Sequence, residues 1–233
     1  FNREAAKKQV EKLGDRRDNN YNFGTNPCSE IILRDKEFCN LTEVVVRPED
    51  TPKTLKEKVR LATVLGTWQA TLIDFRYLSK EWKSNCEEEA LLGVSLTGIM
   101  DNQYTNGTYG KDKSYQSYQT QVPGLLRELK LIAIETNKKV AKQLGINPSA
   151  AITCVKPSGT VSQLVDAASG IHTRHAPYYI RTVRGDKKDP ICQFMVENNI
   201  PYEEDVTKPE HTWVFSFPFK SDKSAICRKD KTA

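Results

Sequence analysis

Short runs of β-branched and apolar residues alternate along this chain with longer stretches of helical spacing, and this alternation constrains the fold most. Residues 31–33, 41–46, 91–99, 152–155, 178–183 and 212–219 read as strands. Residues 2–13, 54–75, 123–144, 160–168 and 192–199 read as helices, with Gly14, Gly145 and Gly170 as stops. A short amphipathic stretch surrounds Trp82. In 54–75, Leu55, Val59, Ala62, Leu65 and Leu72 share a face, and Thr54 is the expected cap. Residues 48–52 read as a turn, and the polar stretch 102–121 as an exposed loop. Glu87-Glu88-Glu89 reads as a solvated helix start. Strands alternating with helices argue an α/β class with mostly parallel strands. A chain of 233 residues can bury one sizeable core in one or two domains.

Charge and cysteine usage narrow the function classes. Thirty-five basic residues against 30 acidic ones give a net charge of +5. The basic residues are dispersed, which fits phosphorylated substrates and falls short of a nucleic-acid footprint. No apolar run approaches the roughly 18 residues of a membrane span, and the first residues do not resemble a signal peptide. A cytoplasmic protein is expected. Cys28, Cys39, Cys86, Cys154, Cys192 and Cys227 form no CxxC pair and no zinc spacing. Free thiols are expected, and any disulfide is expected to be catalytic. His172 and His175 lack a third ligand, so no metal site is expected.

The chemistry concentrates in Asn26-Pro27-Cys28-Ser29-Glu30, with Cys39 eleven residues after Cys28. In an extended segment, Asn26, Cys28 and Glu30 would point the same way. They would offer one small ligand an amide, a sulfur and a proton acceptor, and Cys39 a second sulfur if the chain folds back. Two sulfurs and a carboxylate suggest redox or radical chemistry on a polar substrate, with the carboxylate as general base. Further along, Lys156-Pro157-Ser158-Gly159-Thr160 is a turn before a helix, where backbone N–H groups and hydroxyls can hold an anion. It is not a Walker loop, because the GxxxxGK[ST] spacing is absent. The glycines of segment 93–98 suit close backbone approach rather than phosphate binding.

These motifs together resemble the ribonucleotide reductases. Asn-Pro-Cys-x-Glu-Ile with a second Cys eleven residues on resembles their finger loop. The Pro and the Cys39-Asn40-Leu41 continuation are more similar to the adenosylcobalamin-dependent, class II enzymes than to the di-iron ones. Residues 92–99 resemble the Gly-rich barrel segment, residues 153–161 the substrate-phosphate loop, and Ser169-Gly170-Ile171-His172 follows in family order. The likeness runs from about Asn20 to at least Arg184.

The resemblance implies the second half of a ten-stranded α/β barrel. Residues 1–233 would belong to one catalytic domain, with the finger loop at about 24–40 and the phosphate loop at about 156–161. The chain would be an internal piece of a longer enzyme, or one part of a split one. Cys28 would become a thiyl radical that takes hydrogen from the ribose. Glu30 would accept a hydroxyl proton and Asn26 would hold the sugar. Cys39 would be one of two reducing thiols, its partner lying on an N-terminal barrel half, with Cys86, Cys154, Cys192 and Cys227 structural. Pro157, Ser158, Gly159, Thr160 and Val161 would grip the phosphates of a ribonucleoside di- or triphosphate. Adenosylcobalamin would generate the radical, and an external dithiol or thioredoxin-like protein would supply electrons. Two alternatives stand: a non-catalytic nucleotide-binding module, and the catalytic subunit of a di-iron, class I reductase.

Overall fold

The computed structural model describes residues 3–13, 17–109 and 115–230; the stop expected at Gly14 lies outside the described residues. The chain divides into two compact units, Phe1–Thr173 and Arg174–Ala233. In the first unit, α1 (Arg3–Leu13) buries Ala6 and Val10 with Phe23. Strands β1 (Gly24–Thr25) and β2 (Ile32–Leu33) form an antiparallel hairpin. Strand β3 (Asn40–Val45) and β4 (Leu92–Thr97) then pair in parallel, from Asn40 opposite Leu92 to Val45 opposite Thr97. Parallel neighbours need a crossover. Helices α2 (Pro52–Gln69) and α3 (Lys80–Glu89) supply it.

Helix α2 starts earlier than its sequence suggests. Thr51 is the cap: its hydroxyl accepts from the Thr54 N–H at 3.3 Å, and the Thr54 hydroxyl accepts from the Thr51 N–H at 2.9 Å. Pro52 needs no partner in the first turn, so the expected cap Thr54 becomes the reciprocal member of the pair. The buried face also differs. Leu55, Val59 and Ala62 are buried as expected, but Leu65 and Leu72 are exposed. Thr63, Gly66 and Thr67 take the inner positions. Both threonines return their hydroxyls to the helix carbonyls of Val59 and Thr63, at 2.7 Å, so they enter the core without an unpaired donor.

The stretch expected as an exposed loop is partly core. Helix α4 (Gln103–Asn106) follows β4, and α5 (Tyr115–Leu144) begins before Pro123. Asn102 is fully buried because its amide donates to the carbonyls of Arg47 and Asp50, both at 2.8 Å. Leu129 and Ala133 of α5 join Val44, Val46, Leu55, Val59, Ala62 and Val94 in the main core. The expected strand 152–155 reduces to one parallel bridge, Val94 to Thr153. Helix α6 (Thr160–Leu164) is shorter than expected. A Cβ on Gly93 would lie 2.4 Å from Leu41 Cδ2 and 3.1 Å from Cys154 Sγ, which bears out the expected close approach.

The second unit holds β5 (Tyr178–Asp186), α7 (Pro190–Glu197), β6 (Tyr202–Glu204) and β7 (Thr212–Lys220). Its sheet has the order β5–β7–β6 and is antiparallel throughout. The expectation of mostly parallel strands therefore holds only for the β3–β4 pairing of the first unit. The molecule is mixed α/β, and no closed barrel forms among the described residues.

Candidate active site

The hairpin stands on buried charge. Arg17 Nε donates to Glu89 Oε2 at 2.9 Å, and its Nη2 donates to the Ile32 carbonyl at 2.8 Å. Arg34 Nε lies 3.1 Å from Glu89 Oε1 and 3.7 Å from Glu37 Oε1, and Arg34 Nη1 lies 3.0 Å from Glu88 Oε2. The Arg34 backbone N–H donates to Glu37 Oε2 at 2.9 Å. Arg17, Arg34, Glu37 and Glu89 are all buried. The cluster joins the strand carrying Ile32 to the end of α3. Glu87-Glu88-Glu89 is thus a helix C-terminus rather than a solvated start, and two arginines from the hairpin region draw Glu89 inward. Burial first, then a hydrogen bond shared with Glu89, pushes the Glu37 carboxyl up to about 8.

The tip is a turn rather than the extended segment anticipated. The Ser29 N–H donates to the Asn26 carbonyl at 3.0 Å, and Ser29 has φ of 62°. The Asn26 side chain closes the loop by accepting from the Ile31 N–H at 3.1 Å. Two-residue alternation therefore fails across 26–30. Cys28 is exposed at the tip. The Glu30 side chain is only 3% exposed, and neither carboxylate oxygen has a hydrogen-bond partner. Lys156 Nζ lies 3.8 Å from Glu30 Oε1, which brings the finger loop to the phosphate loop.

In the loop expected to grip phosphate, Pro157, Gly159, Thr160 and Val161 are exposed. Ser158 is buried, donating to Glu43 Oε1 at 2.6 Å and accepting from the Ser162 N–H at 3.2 Å. Its hydroxyl shapes the loop from inside. Cys39 is half-buried and lines a cavity of about 250 Å³ with Phe38, Phe75 and Cys86. Burial, followed by the charges of Cys154 and Glu37, drives its thiol far up. Burial and the Glu30 charge push Cys154 up to about 11. Its sulfur packs against Gly93, where an added Cβ would lie 3.1 Å from Sγ, a packing role of the kind expected for Cys154. A larger, apolar cavity of about 920 Å³ is lined by Val94, Leu96, Met100, Leu126, Cys154 and Ile171, and none of the expected site residues lines it. Among the described residues no cluster of three or more His, Cys, Asp or Glu could hold a metal ion. No described helix is long and apolar enough to cross a membrane.

No family model matches the chain. Curated relatives do. An adenosylcobalamin-dependent ribonucleoside-triphosphate reductase of Lactobacillus acidophilus is 29% identical over 85% of this chain and 28% of its own length. The enzyme of the same name from Lactobacillus helveticus is 32% identical over 72% of this chain and 24% of its own. The chain thus spans about a quarter of the length of these relatives. Among solved structures, a B12-dependent, class II ribonucleotide reductase matches with a TM-score of 0.68 and 26% identity, over 86% of this chain and 30% of that one. Sequence and structure agree on the relationship, and the chain is a homologue of part of the catalytic chain of the adenosylcobalamin-dependent, class II ribonucleotide reductases.

Proposed function

We propose that this chain carries the radical site of a ribonucleotide reductase, within a barrel of which the β3–β4 pair is one part. One observation carries the reading: an exposed Cys28 sits two residues from Glu30, whose buried carboxylate has both oxygens without hydrogen-bond partners. A carboxylate removed from water with no donor is costly unless a ligand completes it. A ribose hydroxyl is such a ligand. The thiol at the turn's tip meets the same sugar.

In this reading Cys28, as a thiyl radical, takes the C3′ hydrogen. Glu30 accepts the 3′-hydroxyl proton while the 2′-hydroxyl leaves as water. Asn26, whose Oδ1 is engaged by the Ile31 N–H, keeps its amide group for the sugar. Cys39 and a thiol on a separate barrel half give two electrons and two protons and end as a disulfide. Cys28 finally returns the hydrogen to C3′. The phosphates lie along Pro157, Ser158, Gly159, Thr160 and Val161. The exposed position of Cys28 fits adenosylcobalamin, because a radical generator must reach the sulfur from outside the hairpin. When bound, that cofactor supplies a carbon-centred radical able to remove the thiol hydrogen. A dithiol or thioredoxin-like protein would re-reduce the disulfide, and the cytoplasm is the matching compartment.

The test is deoxynucleotide formation from CTP and CDP by the native holoenzyme carrying this chain, with adenosylcobalamin and a dithiol. Cobalamin-dependent product from either nucleotide is expected, and the preferred one sets the phosphate count. No product from a folded holoenzyme would favour a nucleotide-binding module. Cys39→Ser is expected to block repeated turnover with dithiol reductants, and an unchanged steady-state rate would refute its redox role.

A further inference from the structure

Lys156 lies outside the residues that read as the phosphate grip, yet its ammonium faces the base. Nζ is 3.8 Å from Glu30 Oε1 and 3.5 Å from the Pro157 carbonyl. The first distance holds charge without a direct hydrogen bond. The carboxylate therefore feels a cation while its lone pairs stay free for a hydroxyl. The Lys156 side chain is 27% exposed, against 3% for Glu30, so its ammonium opens toward solvent. An ammonium has three N–H groups. One points to Pro157, one side faces Glu30, and a donor remains at the mouth of the loop. The Glu30 charge also bears on the Cys39 and Cys154 thiols, which burial holds up. Lys156 is thus a cation placed beside this carboxylate.

We propose that Lys156 is a positioning residue that joins the two halves of the site, holding Glu30 toward the ribose while its free donor contacts the substrate's phosphates. The inference rests on the radical-reductase reading above. Positioning through charge predicts coupling to Glu30, whereas a phosphate contact predicts a loss of affinity that requires phosphate on the ligand.

The experiment is a double-mutant cycle in the native holoenzyme with Lys156→Met, Glu30→Gln and both, alongside Lys156→Arg. Lys156→Met is expected to lower kcat about 10–100-fold, and Glu30→Gln about 10²–10⁴-fold. The double variant should be no slower than Glu30→Gln alone, and Lys156→Arg should restore most of kcat. Equilibrium binding supplies a readout free of turnover. CTP affinity should fall several-fold in Lys156→Met, with a weaker salt dependence, while cytidine affinity stays unchanged. Multiplicative kcat losses, or equal losses for CTP and cytidine, would overturn the role of Lys156. A Glu30→Gln variant with wild-type kcat would instead overturn the underlying reading. If Lys156→Met does not fold, Lys156→Gln carries the same cycle.

Discussion

At the base of the hairpin, two guanidinium groups meet three carboxylates, most of them away from water. At its tip, one carboxylate is equally buried, yet neither oxygen has a hydrogen-bond partner, and a thiol is exposed beside it. The base pairs its charges internally, although Arg34 Nε and Glu37 Oε1 have no hydrogen-bond partner. Arg17 Nε donates to Glu89 Oε2, and Arg34 Nε lies within ion-pair range of Glu89 Oε1 at 3.1 Å. The tip leaves its acceptor unmet. The buried carboxylates of the base face guanidinium groups at close range, whereas Glu30 has the Lys156 ammonium at 3.8 Å and no hydrogen bond to either oxygen. A base of this kind gives the loop a rigid root, and a reactive thiol needs that to be placed within a fraction of an ångström.

The largest effect is expected from exchanging sulfur for oxygen at the tip. Cys28→Ser should cut kcat at least about 10³-fold, because an O–H bond is too strong to serve the same radical step. CTP affinity and the urea midpoint should stay near wild type. Retained turnover would remove the radical assignment, and a large loss of stability would show that the tip is structural after all. Next in size, Glu89→Ala strips the base of the carboxylate that both arginines share. Leaving two buried guanidinium groups short of a partner should cost about 3–5 kcal/mol, read as a fall in the urea midpoint. A loss under about 1 kcal/mol would mean that water enters the cluster freely and that the base is no more closed than the tip.

The sequence revealed the two ends unequally. Cys28, Glu30 and Cys39, the residues of the proposed site, stand out in the sequence because they fall in one short motif. The turn that presents Cys28 was not, since it depends on Ser29 taking a positive φ and on the Asn26 amide closing onto Ile31. The base was hidden altogether. Glu89 looked like a surface residue because its partners, Arg17 and Arg34, are far away in sequence. Likewise Asn102 sits in a polar stretch that reads as a loop, and only its bonds to Arg47 and Asp50 make burial tolerable. Local spacing identified β3, β4 and α2 well. It failed wherever a polar side chain is buried by a distant partner, and at the second unit, whose antiparallel order follows from pairings that alternation does not encode.

The base should also show a pH dependence. Two arginines cannot neutralise Glu37, Glu88 and Glu89 together, so a proton on Glu37 balances the cluster. Its carboxyl, raised to about 8 in the folded chain, binds a proton more tightly there than in the unfolded chain, where 4.5 applies. Stability from this group is therefore fully present below about pH 4.5 and is lost as pH rises through about 8. The slope should approach about 1.4 kcal/mol per pH unit within that window. Glu37→Gln keeps an acceptor for the Arg34 N–H and removes the titration, so its urea midpoint should vary less between those limits than that of wild type. Parallel midpoint profiles for the two proteins would mean that Glu37 is charged throughout. The base would then carry one more charged carboxylate than it has guanidinium groups.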